Sequence, residues 1–236
     1  MARTSLPVKT VVDWKQTFRL IPSRYPPVDL FERIADPSDW EIIAAIENLT
    51  NDRLRDEIGD ISLVPVDQRI GGPGASPIMA AFTHVGVPTR FSNGTYGVYY
   101  ASDRLEAAIR EVAHHQARFL MRTEEPRTQV QMRNYVGSIR CDMYDVRGTR
   151  PEVHDPDSHV KAQQLGATVR TAGGNGVVYD SVRMAGAANI AVFRASVLAS
   201  RTGKPHVVQG PHLMMDWDGT RMTRCIIVGE TTWRPL

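Results

Sequence analysis

Cysteine is nearly absent. The 236 residues hold two, Cys141 and Cys225, and no CxxC pair. That excludes a disulfide framework and a zinc knuckle. A single Cys141–Cys225 bridge is the one pairing left, and a reducing compartment is the natural home. Long apolar runs are missing too. IIAAI and CIIV fall far short of the ~20 residues that span a bilayer, and the opening MARTSLPVKTVVDWK has no signal-peptide core. The expectation is a cytoplasmic protein without a membrane segment. Nor is one charge in surplus: the net is +2 with histidine neutral, and no basic stripe marks a protein that coats nucleic acid. A small anionic ligand is still compatible, because a few arginines suffice to hold one.

Several chemical motifs are missing as well. GGPG at 71–74 and GGNG at 173–176 lack G-x-G-x-x-G spacing, and the second ends a helix and enters a strand, the reverse of a phosphate loop. Turn and cap roles fit both. HExxH is absent. Glu111 and His115 share a helical face, but no further ligand follows at metal-site spacing, so no metal is expected. Ser181 follows Asp180, yet there is no GxSxG elbow, which argues against a hydrolase triad.

What is present is a globular composition, 42% hydrophobic and 23% charged, suited to one domain over 1–236. Residues 10–21 (TVVDWKQTFRLI) read as a strand. SDWE at 38–41 is a capping box, followed by Trp40, Ile43, Ile46 and Leu49 at helical spacing. A second short helix lies near NDRLRDEI. Residues 65–89, rich in Pro and Gly, read as a loop over the surface, so 28–85 is expected to be a helical and loop insertion near the N-terminus. GVYYA reads as a strand. A helix over about 104–121 follows, with Asp103 and Glu106 as its capping pair and Leu105, Ile109, Val112 and Phe119 as its apolar stripe. A strand at 135–146, a helix from 155 opened by Pro156, and the strands GVVYDSV, ANIAVF, HVVQ and HLMMDWDGTRMTRCIIV complete the chain. Asp218 and Gly219 mark a hairpin turn in the last. This order is α+β, not the regular alternation of a doubly wound sheet.

Glu111 lies off the apolar stripe, beside Ala107 and Ala108. Taken singly, Glu111, Arg90, Arg19 and Ser181 are ordinary residues. Taken together and in order, they resemble the RES-domain family. The matching parts are FRLI with Arg19, RFSNGTYGVYYAS with Arg90 and Tyr100, AAIRE with Glu111, and VVYDSVRMAGAANIAVF with Ser181 and Asn189. Two departures stand out. The family's usual Gly-Arg-Trp-Asn is here Thr89-Arg90-Phe91-Ser92, and the 28–85 stretch is longer than in compact members.

The resemblance implies an ADP-ribosyltransferase-like fold: a split β-sheet with surrounding helices and a cleft for NAD. It implies a toxin of a two-gene toxin–antitoxin module that breaks the nicotinamide–ribose bond and passes ADP-ribosyl to water or phosphate. Two alternatives stay open: a mono-ADP-ribosyltransferase that modifies a cellular protein, with 28–85 as the acceptor-docking surface, and a non-enzymatic interaction module on the same fold. NAD would be the substrate, with no separate cofactor. The implied partner is an antitoxin with an Xre-like helix-turn-helix region. A homodimer through the C-terminal strands is compatible; membrane and direct nucleic-acid contacts are not expected.

On this resemblance, Glu111 would stabilise an oxocarbenium-like ribose and hold its 2′-OH. Arg90, with Arg19 second, would grip the pyrophosphate. Tyr100 would offer a flat face to nicotinamide. Ser181 would bond a ribose hydroxyl or orient Glu111, and Asn189 would join the NAD-binding set. Ala107 and Ala108 would leave room for the nucleotide.

Overall fold

The computed structural model describes residues 5–23, 40 and 59–228, and the backbone of 233–235. The SDWE capping box and the two helices expected over 38–58 lie outside the described residues, Trp40 excepted. In chain order the strands are β1 (Lys9–Pro22), β2 (Tyr99–Ser102), β3 (Thr128–Asp145), β4 (Gly176–Asp180), β5 (Ala188–Val192), β6 (Val207–Trp217), β7 (Met222–Ile227) and β8 (Trp233–Pro235). The helices are α1 (Ser76–Thr83), α2 (Leu105–Arg122) and α3 (Val160–Thr171).

The fold is α+β, and its sheet is split in its pairing. β1 and β3 run antiparallel over nearly their whole length, and β6, β7 and β8 extend that block. β2, β5 and β4 form a second antiparallel block. The blocks meet through one registered pair on β1–β2, Phe18 with Ser102, and two on β3–β4, Tyr144 with Val177 and Asp145 with Val178. Helix α2 packs on β1, β2 and β7 and so lies across the β1–β2 seam.

β-branched and aromatic residues make the strands where the sequence places them. β6 joins HVVQ and HLMMDW into one strand. It carries Pro211 through a register shift opposite Arg133 and Tyr135, because a bulge tolerates the missing N–H.

Four expectations change. Residues 65–83 are not a surface loop: Ile70, Ala75, Ile78, Met79 and Phe82 are buried in one cluster with Tyr99, Ile139 and Val192. PIMAAF is apolar on every side, so its helix is buried all round. Asp103 does not cap α2, which has no side-chain N-cap. Its carboxylate accepts from the Ala188 N–H at 3.1 Å and its own N–H donates to the Ala188 carbonyl at 3.0 Å, tying β2 to β5. The buried face of α2 is Ala108, Ile109, Ala113 and Leu120, while Phe119 is exposed. Finally, α3 begins at Val160, because the Asp155 carboxylate takes the N–H groups of Asp157 and Ser158 in a turn that delays the helix. Cys141 and Cys225 are unbridged. No helix among the described residues is long and apolar enough to cross a membrane.

Candidate active site

The two-residue period of a strand puts Tyr100 and Ser102 on one face of β2. Register pairs Ser102 with Asn189 on β5, and Asn189 with Tyr179 on β4. Ser181 follows β4 directly. Glu111 reaches this face from α2, and its Oε1 accepts from Ser181 Oγ at 2.8 Å and from Asn189 Nδ2 at 3.0 Å. Asn189 Oδ1 accepts in turn from Ser102 Oγ at 2.6 Å. Ser181 Oγ also accepts the N–H groups of Arg183 and Met184, at 3.3 and 3.2 Å. Its own single proton is therefore directed to Glu111. Ser102, Ser181 and Asn189 are all buried. One carboxylate oxygen is thus anchored twice, while Oε2 has no hydrogen bond from a described residue.

Arg90 is 9% exposed. Its Nη1 donates to the carbonyls of Val153 and Asp155 at 3.1 and 2.9 Å, and no carboxylate pairs with it among the described residues. The segment carrying it is held from both sides. The Tyr100 hydroxyl bonds Thr89 Oγ1 at 2.8 Å and accepts the Phe91 N–H at 2.9 Å. Phe91 is fully buried and meets the Tyr179 ring edge-on, centroids 4.9 Å apart. From α3, Gln163 Nε2 donates to the Thr89 carbonyl at 2.9 Å, and a Cβ on Gly166 would fall on the Phe91 carbonyl. Two of the three residues that depart from the family's pattern, Thr89 and Phe91, are therefore supports of Arg90. Burial pushes the Tyr100 phenol up to about 12, so it stays neutral at physiological pH.

Tyr179 ties these groups together. Burial raises its pKa, the Glu111 charge raises it further, and Arg90 opposes them. Glu111, Ser181 and Asn189 form one hydrogen-bonded unit, with Arg90 and Tyr100 near it. Arg19 is held separately. Its Nη1 donates to the Tyr100 carbonyl at 3.0 Å and its guanidinium lies 4.6 Å from the Tyr99 ring centre. Tyr99 points to the opposite face of β2 from Tyr100. Burial lowers the Arg19 pKa. Ala107 and Ala108 do not line an open space for a ligand. They are 0% and 4% exposed, and the small side chains let α2 lie close on the sheet.

Beside the Glu111 unit lies a basic cluster around Arg183 and His114 that motif reading did not single out. Arg183 Nη2 lies 2.8 Å from His114 Nε2 and 3.3 Å from the Pro156 carbonyl. A guanidinium only donates, so His114 Nε2 accepts and the ring is neutral. Burial first, then the Arg183 charge, lowers the His114 pKa. His159 is pushed down to about 4 by burial and then by Arg90, His115, Arg118 and Arg183. Positions 111, 114, 115 and 118 recur at i, i+3, i+4 and i+7. That polar stripe was a signal in the sequence, but hydrophobic periodicity passes over it.

The chain is 31% identical over 209 residues to y4oC of Sinorhizobium fredii, an uncharacterized protein, covering 87% of this chain and 84% of that one. The M. tuberculosis MbcT–MbcA toxin–antitoxin complex contains a chain that aligns over 89% of this one and 87% of its own length, with 13% identity and a TM-score of 0.43. That superposition is too loose to transfer residues. The RES domain family model matches residues 67–218, which include Arg90, Tyr100, Glu111, Ser181 and Asn189 and exclude Arg19. With well over half of its length matched, the chain belongs to the RES-domain family.

Proposed function

We propose that this protein breaks the nicotinamide–ribose bond of NAD at Glu111, and that it serves as the toxin of a toxin–antitoxin module. The observation that carries the reading is the Glu111 carboxylate: Oε1 fixed by Ser181 and Asn189, Oε2 without a hydrogen bond from a described residue, and a basic rim around Arg183, whose N–H donates to Ser181 Oγ and whose guanidinium donates to His114.

The bond from ribose C1′ to the pyridinium nitrogen breaks with its electron pair going to nitrogen. Nicotinamide leaves neutral and the ribose becomes oxocarbenium-like. A preorganised carboxylate stabilises that charge as it develops. An acceptor oxygen, from water or phosphate, then bonds to C1′ and gives up its proton. The pyrophosphate is anionic and suits the rim. Arg90 has Nη1 committed to two carbonyls, which fixes its plane and leaves Nε and Nη2 to donate. Tyr100, with its hydroxyl engaged, contributes its ring and its hold on Arg90.

The toxin role, and a partner antitoxin with a helix-turn-helix region, are supported by membership of the RES-domain family. Mass analysis of the products from NAD, with and without phosphate, tests the reaction. Free ADP-ribose means water is the acceptor, and a phosphorylated ADP-ribose means phosphate is. A labelled protein band in lysate means transfer to protein. Intact NAD under all three conditions refutes the reading.

A further inference from the structure

A cavity lies away from the Glu111 unit, and none of that unit lines it. It holds about 250 Å³. Its walls are Leu63, Phe82, Tyr96 and Phe193, and two arginines, Arg170 and Arg194, reach it from the end of α3 and from the turn after β5. The Arg170 guanidinium stands 4.8 Å from the Tyr96 ring centre, and Tyr96 meets Phe193 edge-on at 6.1 Å. Neither arginine has a carboxylate partner or a side-chain hydrogen bond among the described residues. The surroundings are tightly packed: a Cβ on Gly97 would collide with the Ala81 carbonyl and the Phe82 backbone, and one on Gly174 would press Val169 and Tyr144. The hollow is therefore not general looseness.

We propose that this cavity binds a small flat aromatic anion, a carboxylate or phosphomonoester on a single ring. Aromatic walls accept the ring, and two guanidinium forks with no acceptor among the described residues suit a planar anionic group. The volume lies below the ~300 Å³ at which pockets for drug-sized ligands begin, so a whole dinucleotide does not fit. The site adjoins the segment that holds Arg90. The Tyr96 hydroxyl donates to the Phe91 carbonyl at 2.6 Å, while the Phe91 N–H donates to Tyr100. This inference is independent of the reaction proposed above.

The test is calorimetric titration of the full chain with benzoate and with its neutral isostere benzamide. Saturable benzoate binding at about 1 mM or tighter is expected, with benzamide at least about tenfold weaker because it lacks the charge-assisted bonds. Arg170→Ala and Arg194→Ala should each weaken benzoate about five- to tenfold by the same loss, whereas Arg183→Ala, on the other rim, should leave it unchanged. Amide shift changes in the wild-type protein should centre on 95–97 and 173–174, a readout independent of how the variants fold. Absence of saturable binding, equal affinity for benzamide with shift changes at 95–97 and 173–174, or loss in Arg183→Ala with Arg170→Ala unaffected would overturn the assignment.

Discussion

The Ser181 hydroxyl donates to Glu111 Oε1 at 2.8 Å, across 70 residues of chain. This bond joins a helix to the end of a strand, and it is charge-assisted, the stronger kind. Asn189 makes the second bond to the same oxygen and also accepts the buried Ser102 hydroxyl.

Asn189→Ala should therefore act on stability as well as on the carboxylate. It strands the Ser102 hydroxyl, and an unsatisfied buried group costs about 1–3 kcal/mol. A lower urea midpoint at unchanged slope is the expected result. A midpoint equal to wild type would show that the Ser102–Asn189–Glu111 chain is not a structural unit.

Gly166→Ala tests how Arg90 is placed. The added methyl would meet the Phe91 carbonyl, so α3 and the 89–92 segment must separate. Overpacking of this kind costs about 1–3 kcal/mol. KM for NAD should rise more than kcat falls, because the grip on the ligand is displaced and the carboxylate is not. Unchanged stability and unchanged KM would contradict the placement.

Tyr100→Phe keeps the ring and removes the hydroxyl shared by Thr89 and Phe91. The expected change is a several-fold rise in KM, with kcat within about threefold of wild type, as for lost ground-state binding. A large fall in kcat with KM unchanged would instead give the hydroxyl a role in bond breaking.

His159 supplies a pH dependence. Its folded pKa, about 4, lies below the ordinary 6.5 through burial and the neighbouring cations. The unfolded chain therefore takes up the proton first, and stability falls as pH drops from about 6.5, levelling off below about 4. Solvent screens the half-exposed ring, so the loss expected from this residue between pH 7 and pH 5 is at most about 1 kcal/mol. His159→Gln should flatten that part of the curve. An unchanged slope in the variant would remove His159 as its source.

The strands were legible because β-branched and aromatic residues cluster between turn residues, as in TVVDWKQTFRLI. α1 was not, since the glycines and prolines around PIMAAF read as loop and outweighed the all-round apolar character of that short run. Asp103 precedes a helix and so looked like a cap, but its partner Ala188 is remote in sequence. The link of Glu111 to Ser181 and Asn189 came within reach only through an ordered family resemblance, because periodicity marks Glu111 as a helix flank. His115 was seen to share a helical face with Glu111 but was weighed only as a metal ligand; its grouping with His114, Arg118 and Arg183 was missed because apolar patterns ignore polar stripes. Arg170 and Arg194 come to one cavity only in three dimensions.

The central claim is that the Glu111 carboxylate stabilises charge on the ribose of NAD. Nicotinamide release by wild type and by Glu111→Gln, both checked for a native circular dichroism spectrum, tests it most directly. The amide keeps the size of the side chain and removes the charge. The account predicts a fall in kcat of about a hundred- to a thousandfold, with the fold intact. Release at the wild-type rate from a folded Glu111→Gln protein would contradict it.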